Sequence, residues 1–452
     1  MQDLTEDLTP ASLPRWLTLV GLGEDGLDGL TPAARTALMQ AELVVGGARH
    51  LALVGPLLLE TRAETLPWPV PLHDAIPAIV ARRGRPVVVL ATGDPFFHGI
   101  GSVLAAHVEP AETAAFPAPS AYALAAARLG WAGQDVVRVS LHGRALARIR
   151  PHLHPGARIL ALSWDGATPE RLARLLAAEG FGASRLTVLE RLGGPRERIA
   201  ATTAAAFALP EADPLNTVAL DVVAAPGARA LPFTPGLPDD WFESDGQITK
   251  REVRAVTLSA LRPTRGQTLW DVGAGSGSVG IEWMLADPSC RAVAVEPRAD
   301  RAARIARNAE ALGVPDLALV TGEAPAALQG LPRPDAVFIG GGAGDPGVID
   351  ACLNALSPGG RLVVNAVTLE TQALLVDRHA RHGGDLVQLS VARADRIGGA
   401  AGAFRGLRPA MAVLQWVLEI PQPAIPPAEA TATDAAGSTS THAAPPPREP
   451  RP

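Results

Sequence analysis

Short apolar runs alternate with helix-like stretches through the first half of the chain. Apolar runs this short suit strands that are buried on both faces, and apolar residues spaced three to four apart suit amphipathic helices. A second set of runs begins after His142, which predicts a second subdomain. The predicted strands are 17–20, 43–45, 87–90, 158–162, 186–189 and 217–223, and the predicted helices are 32–41 and 169–179.

A third set of alternating elements starts near residue 239. It opens with a predicted helix over 251–261 and a predicted strand over 268–272, and it ends with a strand over 413–418. Regular alternation of strands and helices predicts a doubly wound parallel sheet. The elements between these are predicted as helix 279–285 and strand 292–295.

Composition along the chain divides it into predicted segments. Proline and glycine cluster between residues 226 and 238, and such a cluster interrupts helices and strands. After Ile420 the chain is rich in Pro, Ala, Thr and Ser, which bury too little apolar surface to fold. We therefore predict an α/β protein with the following segments: a first unit over 15–228, a linker over 229–238, a second unit over 239–420 and a disordered tail over 421–452.

Charge and composition exclude several classes of protein. Of the 452 residues, 47% are hydrophobic, yet no apolar run approaches the roughly 20 residues that span a bilayer. The residues before Trp16 lack the charged start, apolar stretch and small-residue cleavage site of a secretory signal, so we do not expect secretion. The net charge of −6 argues against a nucleic-acid partner, which requires a basic surface. Cys290 and Cys352 are too few for a disulfide framework or a thiolate metal cage, so we expect a cytoplasmic protein without a bound metal.

The strongest motif is the segment Trp270-Asp-Val-Gly-Ala-Gly-Ser-Gly277, which lies between a predicted strand and a predicted helix. Glycines there let the backbone turn sharply beside a ligand, whose space a side chain would occupy. The spacing of Gly275, Gly277 and Gly280 also satisfies G-x-G-x-x-G. A nicotinamide-dependent dehydrogenase is therefore an alternative at this stage.

Three further residues favour S-adenosylmethionine as the ligand. Asp271 precedes the glycines, and its carboxylate suits the ammonium of an amino acid better than a pyrophosphate. Glu296 ends the next predicted strand, where a carboxylate can accept hydrogen bonds from ribose hydroxyls, although dinucleotide sites share this feature. Ala324 follows a third strand and leaves room for adenine. Together these features resemble those of class I methyltransferases.

Four segments narrow this resemblance. Residues 247–254, 271–277, 338–342 and 365–370 make residues 239–420 similar to the decarboxylating precorrin methyltransferase domain. The resemblance implies that substrate lies at the carboxyl ends of later strands, near Gly340, Gly341, Gly342 and Asn365. Thr249 can alternatively, or in addition, cap the helix that follows it. The implied cofactor contacts are Thr249, Gly273, Ala274, Gly275, Ser276, Gly277, Glu296 and Ala324.

The first unit carries a different set of turns. Gly21 and Gly23 follow its first strand, and Gly93-Asp94-Pro95 follows a later one. With segments 119–122 and 140–144, these turns resemble the tetrapyrrole methylases over 15–228, which implies a second S-adenosylmethionine site in a cleft between two subdomains. The implied cofactor contacts are Gly21, Gly23, Gly93, Asp94 and Pro95.

Two observations in the first unit differ from what the resemblance to tetrapyrrole methylases implies or have a simpler explanation. Many tetrapyrrole methylases have glycine-proline-glycine-aspartate after the first strand, whereas this chain has Gly23-Glu-Asp-Gly26. Asp94-Pro95 is also a sequence that forms a plain turn. His98 and His142 are candidate bases, but histidines beside glycine turns are more often surface or capping residues.

The order of the two modules resembles that of the fused precorrin methyltransferases of cobalamin synthesis. The resemblance implies methylation of two meso carbons and loss of carbon dioxide from a ring acetate in the second module. Alignment of the reactants and a dry cleft suffice for this chemistry, so we assign no catalytic base. Two alternatives stay open: a tetrapyrrole or other small-molecule methyltransferase with one inactive module, and the dehydrogenase. We expect a homo-oligomer, and Arg254→Ala is expected to raise KM for precorrin at unchanged cofactor affinity. Candidate cations for the substrate carboxylates are Arg144, Arg191, Arg251 and Arg254.

Overall fold

The computed structural model of the protein describes residues 15–397 and 404–422. The predicted α/β class is confirmed, with one parallel and one mixed sheet before residue 229 and one large mixed sheet after it. Of the predicted tail, residues 423–452 lie outside the described residues. Within the described residues, no helix is both long and apolar enough to cross a membrane.

The first subdomain is a parallel sheet in the strand order β3-β2-β4-β1-β5. Its strands alternate their side chains between two cores: Leu17 and Leu19 pack on one face, and Val20 and Leu22 pack on the other. The strands are β1 (Leu17–Leu22), β2 (Leu43–Gly46), β3 (Glu64–Pro67), β4 (Val87–Thr92) and β5 (Thr113–Phe116). The helices are α1 (Pro32–Gln40), α2 (Ala48–Leu58), α3 (Ile76–Val80), α4 (Ile100–Leu104) and α5 (Ala121–Leu129).

Local sequence explains where these helices begin. The Thr31 side chain accepts a hydrogen bond from the Ala34 amide, and Pro32 occupies the first turn of α1, where a missing N–H costs nothing. Ser120 caps α5 in the same way through the Ala123 amide. Helix α5 therefore starts immediately after the loop that ends β5, and this places the loop at the edge of the sheet.

The second subdomain is a mixed sheet in the order β6-β7-β10-β8-β9. It starts earlier than predicted, because the edge strand β6 lies before His142 and pairs in parallel with β7. The prediction missed β6 because a short edge strand interrupted by Arg138 has a weak apolar pattern. The strands are β6 (Val136–Ser140), β7 (Arg158–Leu162), β8 (Arg185–Glu190), β9 (Arg198–Thr203) and β10 (Asn216–Asp221), and α6 covers Thr168–Ala178.

The predicted linker has neither helix nor strand over 229–238, all of which the structure describes, but it is not loose. Leu231 and Leu237 are buried in the core of the second unit. The Glu282 carboxylate also accepts hydrogen bonds from the Gly236 and Leu237 amides, at 2.6 and 2.9 Å. The segment is therefore fixed to the unit that follows it.

The second unit is a sheet in the order β13-β12-β11-β14-β15-β19-β16, with helices on both faces, so the predicted doubly wound sheet is confirmed. Only β19 runs antiparallel to its neighbours in this described sheet. Leu269 and Trp270 point into opposite cores, as alternation along a strand requires. The predicted bounds of α7 and β11 match the observed ones.

The elements of the second unit follow in chain order. The helices are α7 (Arg251–Leu261), α8 (Ser278–Ala286), α9 (Ala299–Ala311), α10 (Val348–Ala355) and α11 (Leu369–His382). The strands are β11 (Thr268–Val272), β12 (Arg291–Glu296), β13 (Ala318–Thr321), β14 (Ala336–Ile339), β15 (Arg361–Ala366), β16 (Asp385–Leu389), the hairpin β17 (Ala392–Ile397) and β18 (Phe404–Pro409), and β19 (Val413–Glu419).

Candidate active sites

The glycine loop of the second unit lies where the strand order reverses, between β11 and β14. A β-carbon on Gly273 would lie 2.5 Å from the carbonyl oxygen of Gly341, which follows β14. A β-carbon on Gly277 would lie 2.7 Å from the Ile305 side chain. Gly273, Gly275 and Gly277 all have positive φ. The loops after β11 and β14 therefore meet at the edge where doubly wound sheets bind ligands.

Glu296 lies directly against this loop. Its Oε2 accepts a hydrogen bond from the Gly275 amide at 2.8 Å, and its Oε1 accepts one from the Arg298 amide at 3.2 Å. The residue is only 2% exposed. The structure thus brings together the predicted carboxylate and the predicted glycine loop, which are 21 positions apart in the chain.

Asp271 lies beneath the first turn of α8. Its Oδ2 accepts a hydrogen bond from the Gly280 amide at 2.9 Å. Its Oδ1 and the Ser276 hydroxyl are both buried and have no hydrogen-bond partner among the described residues. Burial, together with the nearby Glu296, raises the pKa of Asp271 to about 7. Buried polar atoms without a partner suit a ligand that brings its own donors to this loop.

The raised pKa of Asp271 predicts a specific pH dependence. Between about pH 4 and pH 7 the folded protein keeps a proton that the unfolded chain loses, so rising pH lowers the free energy of unfolding. The loss is roughly 4 kcal/mol at most, at about 1.4 kcal/mol for each pKa unit. Urea unfolding at pH 5 and pH 7.5 measures it. Asp271→Asn should remove this part of the dependence, and equal pH dependence in both proteins would contradict the burial of a protonated Asp271.

The segment before α7 covers the glycine loop from outside. The carbonyl oxygen of Gln247 lies 3.6 Å from where a β-carbon on Gly275 would be, and the Gln247 side chain accepts a hydrogen bond from Arg301 at 2.8 Å. Thr249 is half-buried in this segment. The alternative role of Thr249 as helix cap is wrong, because Lys250 holds the capping position of α7 and makes no side-chain capping bond.

Arg254 is not positioned to contact a substrate. Its side chain is 0% exposed. Its Nε donates to Glu282 Oε1 at 2.6 Å, and its other nitrogens donate to Asp239 and to the carbonyls of Thr249 and Leu237. The prediction that Arg254 binds a substrate carboxylate is therefore wrong, since this guanidinium is enclosed and its donors are used inside the protein.

The other predicted residues of the second unit lie along the same edge. Gly340, Gly341 and Gly342 are exposed beside the glycine loop. Asn365 is the penultimate residue of β15. Its amide nitrogen donates to Thr257 Oγ1 at 3.0 Å, and its oxygen accepts from Gln415 at 2.9 Å. Ala324 is partly buried beyond β13, next to the strand that carries Glu296. The predicted set is brought to one edge, but Asn365 is engaged in an internal network.

In the first unit, the turns after β1, β4 and β5 converge. A β-carbon on Gly21 would lie 1.9 Å from the Gly93 carbonyl oxygen and 2.5 Å from the Ala118 amide nitrogen. Gly93 has a φ of 59°, and a β-carbon there would lie 3.0 Å from the Pro119 carbonyl oxygen. Backbones this close leave no room for side chains. The predicted Gly21 and Gly93 therefore shape one turn cluster at the carboxyl edge of the sheet.

The remaining predicted residues of this unit lie beside the cluster. The Asp94 carboxylate accepts a hydrogen bond from the Phe96 amide at 2.8 Å, a turn-stabilising contact that also fits the plain-turn alternative. Pro95 is buried, and its carbonyl accepts from the Gly101 amide at 2.8 Å. Gly23 lies in the half-buried loop after β1, where its carbonyl accepts from the Gly26 amide at 3.2 Å.

The loops after β1 and β4 meet the second subdomain at the cleft predicted from the sequence. Glu24 pairs there with Arg191, and the Arg138 guanidinium lies 5.9 Å from the centroid of the Phe97 ring. His98, with a φ of 57°, extends from the turn after β4, and its ring lies 6.2 Å from that of Tyr122. Partial burial and the nearby Arg144, which follows β6, lower the pKa of His98. Arg144 and His142 are both exposed. The backbone of His98 is thus in a conformation that is strained for a residue other than glycine, and Arg144 is an exposed cation near it.

A polar network that sequence reasoning missed crosses the same cleft. Glu24 is bound by Arg49 of the first subdomain and by Arg191 of the second, and Arg191 also binds Asp213. Arg191 was predicted only as a contact for substrate, and here two carboxylates neutralise it. The only signal in the sequence was the departure of the loop from Gly23 to Gly26 from the common family pattern.

Comparison with known proteins identifies the families to which the two units are similar. A family model described as "Precorrin methyltransferase domain" matches residues 240–420, and one described as "Tetrapyrrole (Corrin/Porphyrin) Methylases" matches residues 16–208. A precorrin-6Y C(5,15)-methyltransferase (decarboxylating) of Sinorhizobium sp is 56% identical over 407 residues. That match covers 90% of this chain and 97% of the relative.

Two shorter relatives each match less than half of the chain. A "Probable cobalt-precorrin-6B C(15)-methyltransferase (decarboxylating)" of Pyrobaculum calidifontis is 41% identical over 172 residues, which cover 36% of this chain and 88% of the relative. A "Cobalt-precorrin-7 C(5)-methyltransferase" of Salmonella typhimurium is 34% identical over 184 residues, which cover 40% of this chain and 88% of the relative. Both activities that the longer relative joins thus also occur in separate, shorter proteins.

Proposed function

Because this chain belongs to the family of decarboxylating precorrin-6Y C(5,15)-methyltransferases, we propose that each of its two units holds its own site for S-adenosylmethionine. The protein is a methyltransferase of cobalamin biosynthesis that acts on a precorrin with decarboxylation. Membership in this family excludes the alternative that the glycine spacing from Gly275 to Gly280 belongs to a nicotinamide-dependent dehydrogenase. The observation that supports two sites is that both units carry converging glycine turns at a carboxyl edge of a sheet.

In the second unit, the proposed cofactor residues surround the loop after β11. Gly273, Gly275 and Gly277 leave the backbone open to the ligand, together with Ala274 and Ser276 between them. Glu296 would accept hydrogen bonds from the ribose hydroxyls, and the orphaned Asp271 Oδ1 suits a donor from the ligand. Thr249 and Ala324 would border the two ends of the pocket. The residues present therefore fit S-adenosylmethionine.

In the first unit, the proposed cofactor residues are Gly21, Gly23, Gly93, Asp94 and Pro95. Support comes from the close approach of Gly21 to Gly93, which keeps the turn cluster free of side chains. The sequence of the loop from Gly23 to Gly26 departs from the common family pattern. S-adenosylmethionine supplies a methyl group on a sulfonium, so in both units the protein needs chiefly to align the acceptor carbon and to exclude water.

The substrate is a tetrapyrrole with acetate and propionate side chains, which cationic side chains can bind bidentately. We assign the exposed Arg144 to a substrate carboxylate in the first unit, since it borders the cleft beside His98. In the second unit we assign Gly340, Gly341 and Gly342 to substrate, together with Asn365 at the end of β15. Arg251, exposed at the start of α7, is a further candidate.

We assign C15 methylation and decarboxylation to residues 239–420, and C5 methylation to residues 15–228, with 229–238 joining the two units. Support comes from the names of the two shorter relatives, each of which matches a length of chain that suits one unit. Decarboxylation needs an electron sink, which the conjugated macrocycle provides. The protein then only has to hold the ring acetate out of the macrocycle plane. Assembly into a homo-oligomer and a cytoplasmic location stay predictions from the sequence.

Mass spectrometry of the product tests this function. The purified full chain, supplied with S-adenosylmethionine and precorrin-6Y, is expected to add two methyl groups and to release one carbon dioxide, giving precorrin-8X. Both changes require the two units to be active. A product with one added methyl group would contradict the two-site proposal and would support the alternative in which one unit is inactive.

A further inference from the structure

The Glu24 carboxylate is shared by arginines from both subdomains of the first unit. Arg49, in α2, binds its Oε1, and Arg191, which follows β8, donates to its Oε2 at 2.9 Å. The Glu24 side chain is only 9% exposed, and those of Arg49 and Arg191 are 31% and 18% exposed. On its other side Arg191 binds Asp213. The result is a row of alternating charges that crosses the cleft.

The same network reaches the proposed cofactor turn. Arg49 Nη2 donates to Thr92 Oγ1 at 2.9 Å, and His50 Nε2 lies 2.8 Å from the same oxygen. Thr92 is the residue before Gly93, so its position determines where the turn after β4 begins. Burial and the neighbouring Arg49 lower the pKa of His50 to about 4, so its ring is neutral at pH 7 and leaves the positive charge on Arg49.

Backbone packing at Glu24 adds to the charge contacts. A β-carbon on Gly194, in the loop after Arg191, would lie 2.5 Å from Glu24 Cβ. The loop after β1 and the loop after β8 are therefore in direct contact across the cleft. The contact is close and the Glu24 side chain is largely buried, so Glu24 joins the two loops directly.

We propose that Glu24 is a positioning residue for methyl transfer in the first unit. It keeps the second subdomain at a fixed position relative to the turn at Gly93. This inference rests on the proposed function, since it assumes that the cleft of the first unit is active. Without the Glu24 charge, Arg49 and Arg191 would face each other across the cleft with no carboxylate between them, and the edges would move apart. A displacement of about 1 Å between reacting groups can lower a rate on the order of 100-fold.

The test is Glu24→Gln in the full chain, with product masses and rates measured for both reactions. We expect kcat of the first-unit methylation to fall about 100-fold, with the Kd for S-adenosylmethionine changed less than about twofold. Methylation with decarboxylation in the second unit should be unaffected, which provides an internal control. Glu64→Gln is the matched variant, because Glu64 pairs with Arg82 at the opposite, amino edge of the same sheet.

Arg191→Gln tests the same contact from its other side, and it serves if the Glu24→Gln protein does not fold. It removes the partner from the other subdomain and leaves Glu24 paired with Arg49, so the same loss in kcat is expected. The double variant should be no slower than either single one, since both break the same contact. A wild-type kcat in Glu24→Gln would overturn the proposal. If Glu24→Gln does not fold, a wild-type kcat in Arg191→Gln would overturn it instead. Losses in kcat that add up in the double variant would also overturn it. If wild-type enzyme itself adds no methyl group in the first unit, the proposed function fails instead.

Discussion

Replacing Arg254 by methionine is expected to lower the free energy of unfolding of the second unit by about 3–5 kcal/mol. The change leaves Glu282 as a buried charge without its cationic partner, and it removes the hydrogen bonds to Asp239, Thr249 and Leu237. Methionine fills much of the same volume, so the loss of charge and of hydrogen bonds dominates the effect. Urea unfolding of the full chain measures it, and hydrogen exchange of peptides from α7 and α8 assigns it to this unit.

Arg251→Met is the matched control, because Arg251 is exposed at the start of the same helix. It should change the free energy of unfolding by less than about 0.5 kcal/mol. The expectation from the sequence is different: a raised KM for precorrin at unchanged cofactor affinity. A stable Arg254→Met protein with a raised KM for precorrin would restore that expectation and contradict the enclosed position of Arg254.

Replacing Glu296 by alanine is expected to abolish methylation and decarboxylation by the second unit and to leave the first unit active. A carboxylate that accepts two hydrogen bonds contributes about 1.5–3 kcal/mol for each of them, so its loss should weaken S-adenosylmethionine binding at least about 100-fold. The Gly275 amide also loses its partner. The product should then carry one added methyl group and keep the ring carboxylate, as mass spectrometry can show.

Glu310→Ala is the control for this variant, since Glu310 is exposed on α9 and away from the glycine loop. It should give the doubly methylated, decarboxylated product at the normal rate. Normal decarboxylation by Glu296→Ala would contradict the assignment of Glu296 to the cofactor. Loss of both methylations would show that the two units depend on each other.

The sequence predicts best those features that depend on local backbone geometry. The turn from Gly273 to Gly277 was predicted because positive φ at close backbone contacts restricts the residue to glycine. The predicted bounds of α7 and β11 match the structure, since the spacing of apolar residues is a local property. Convergence of Gly21 with Gly93 was implied by a family likeness, and the structure then shows the steric reason for it.

Features that depend on distant partners were not predicted. Nothing local distinguishes the buried Arg254 from the exposed Arg251, because burial of a guanidinium depends on Glu282, 28 positions away. The partners of Glu24 lie 25 and 167 positions away, so its network becomes visible only in three dimensions. Buried charges of this kind need compensating partners, and sequence spacing does not reveal them.

The two proposed sites also differ in architecture. That of the second unit lies at the carboxyl edge of one sheet, after the neighbouring strands β11 and β14. That of the first unit lies beside the junction of two subdomains, which Glu24 and Arg191 join. Units with such different sheet orders indicate a fusion of two methyltransferases rather than a duplication of one.

The number of S-adenosylmethionine molecules bound to each chain tests the central claim most directly. Equilibrium dialysis of the full chain against labelled S-adenosylmethionine, without precorrin, measures this number. We expect two molecules for the wild-type chain and one for Glu296→Ala, because only the site in the second unit is lost. One molecule bound to the wild-type chain would contradict the account.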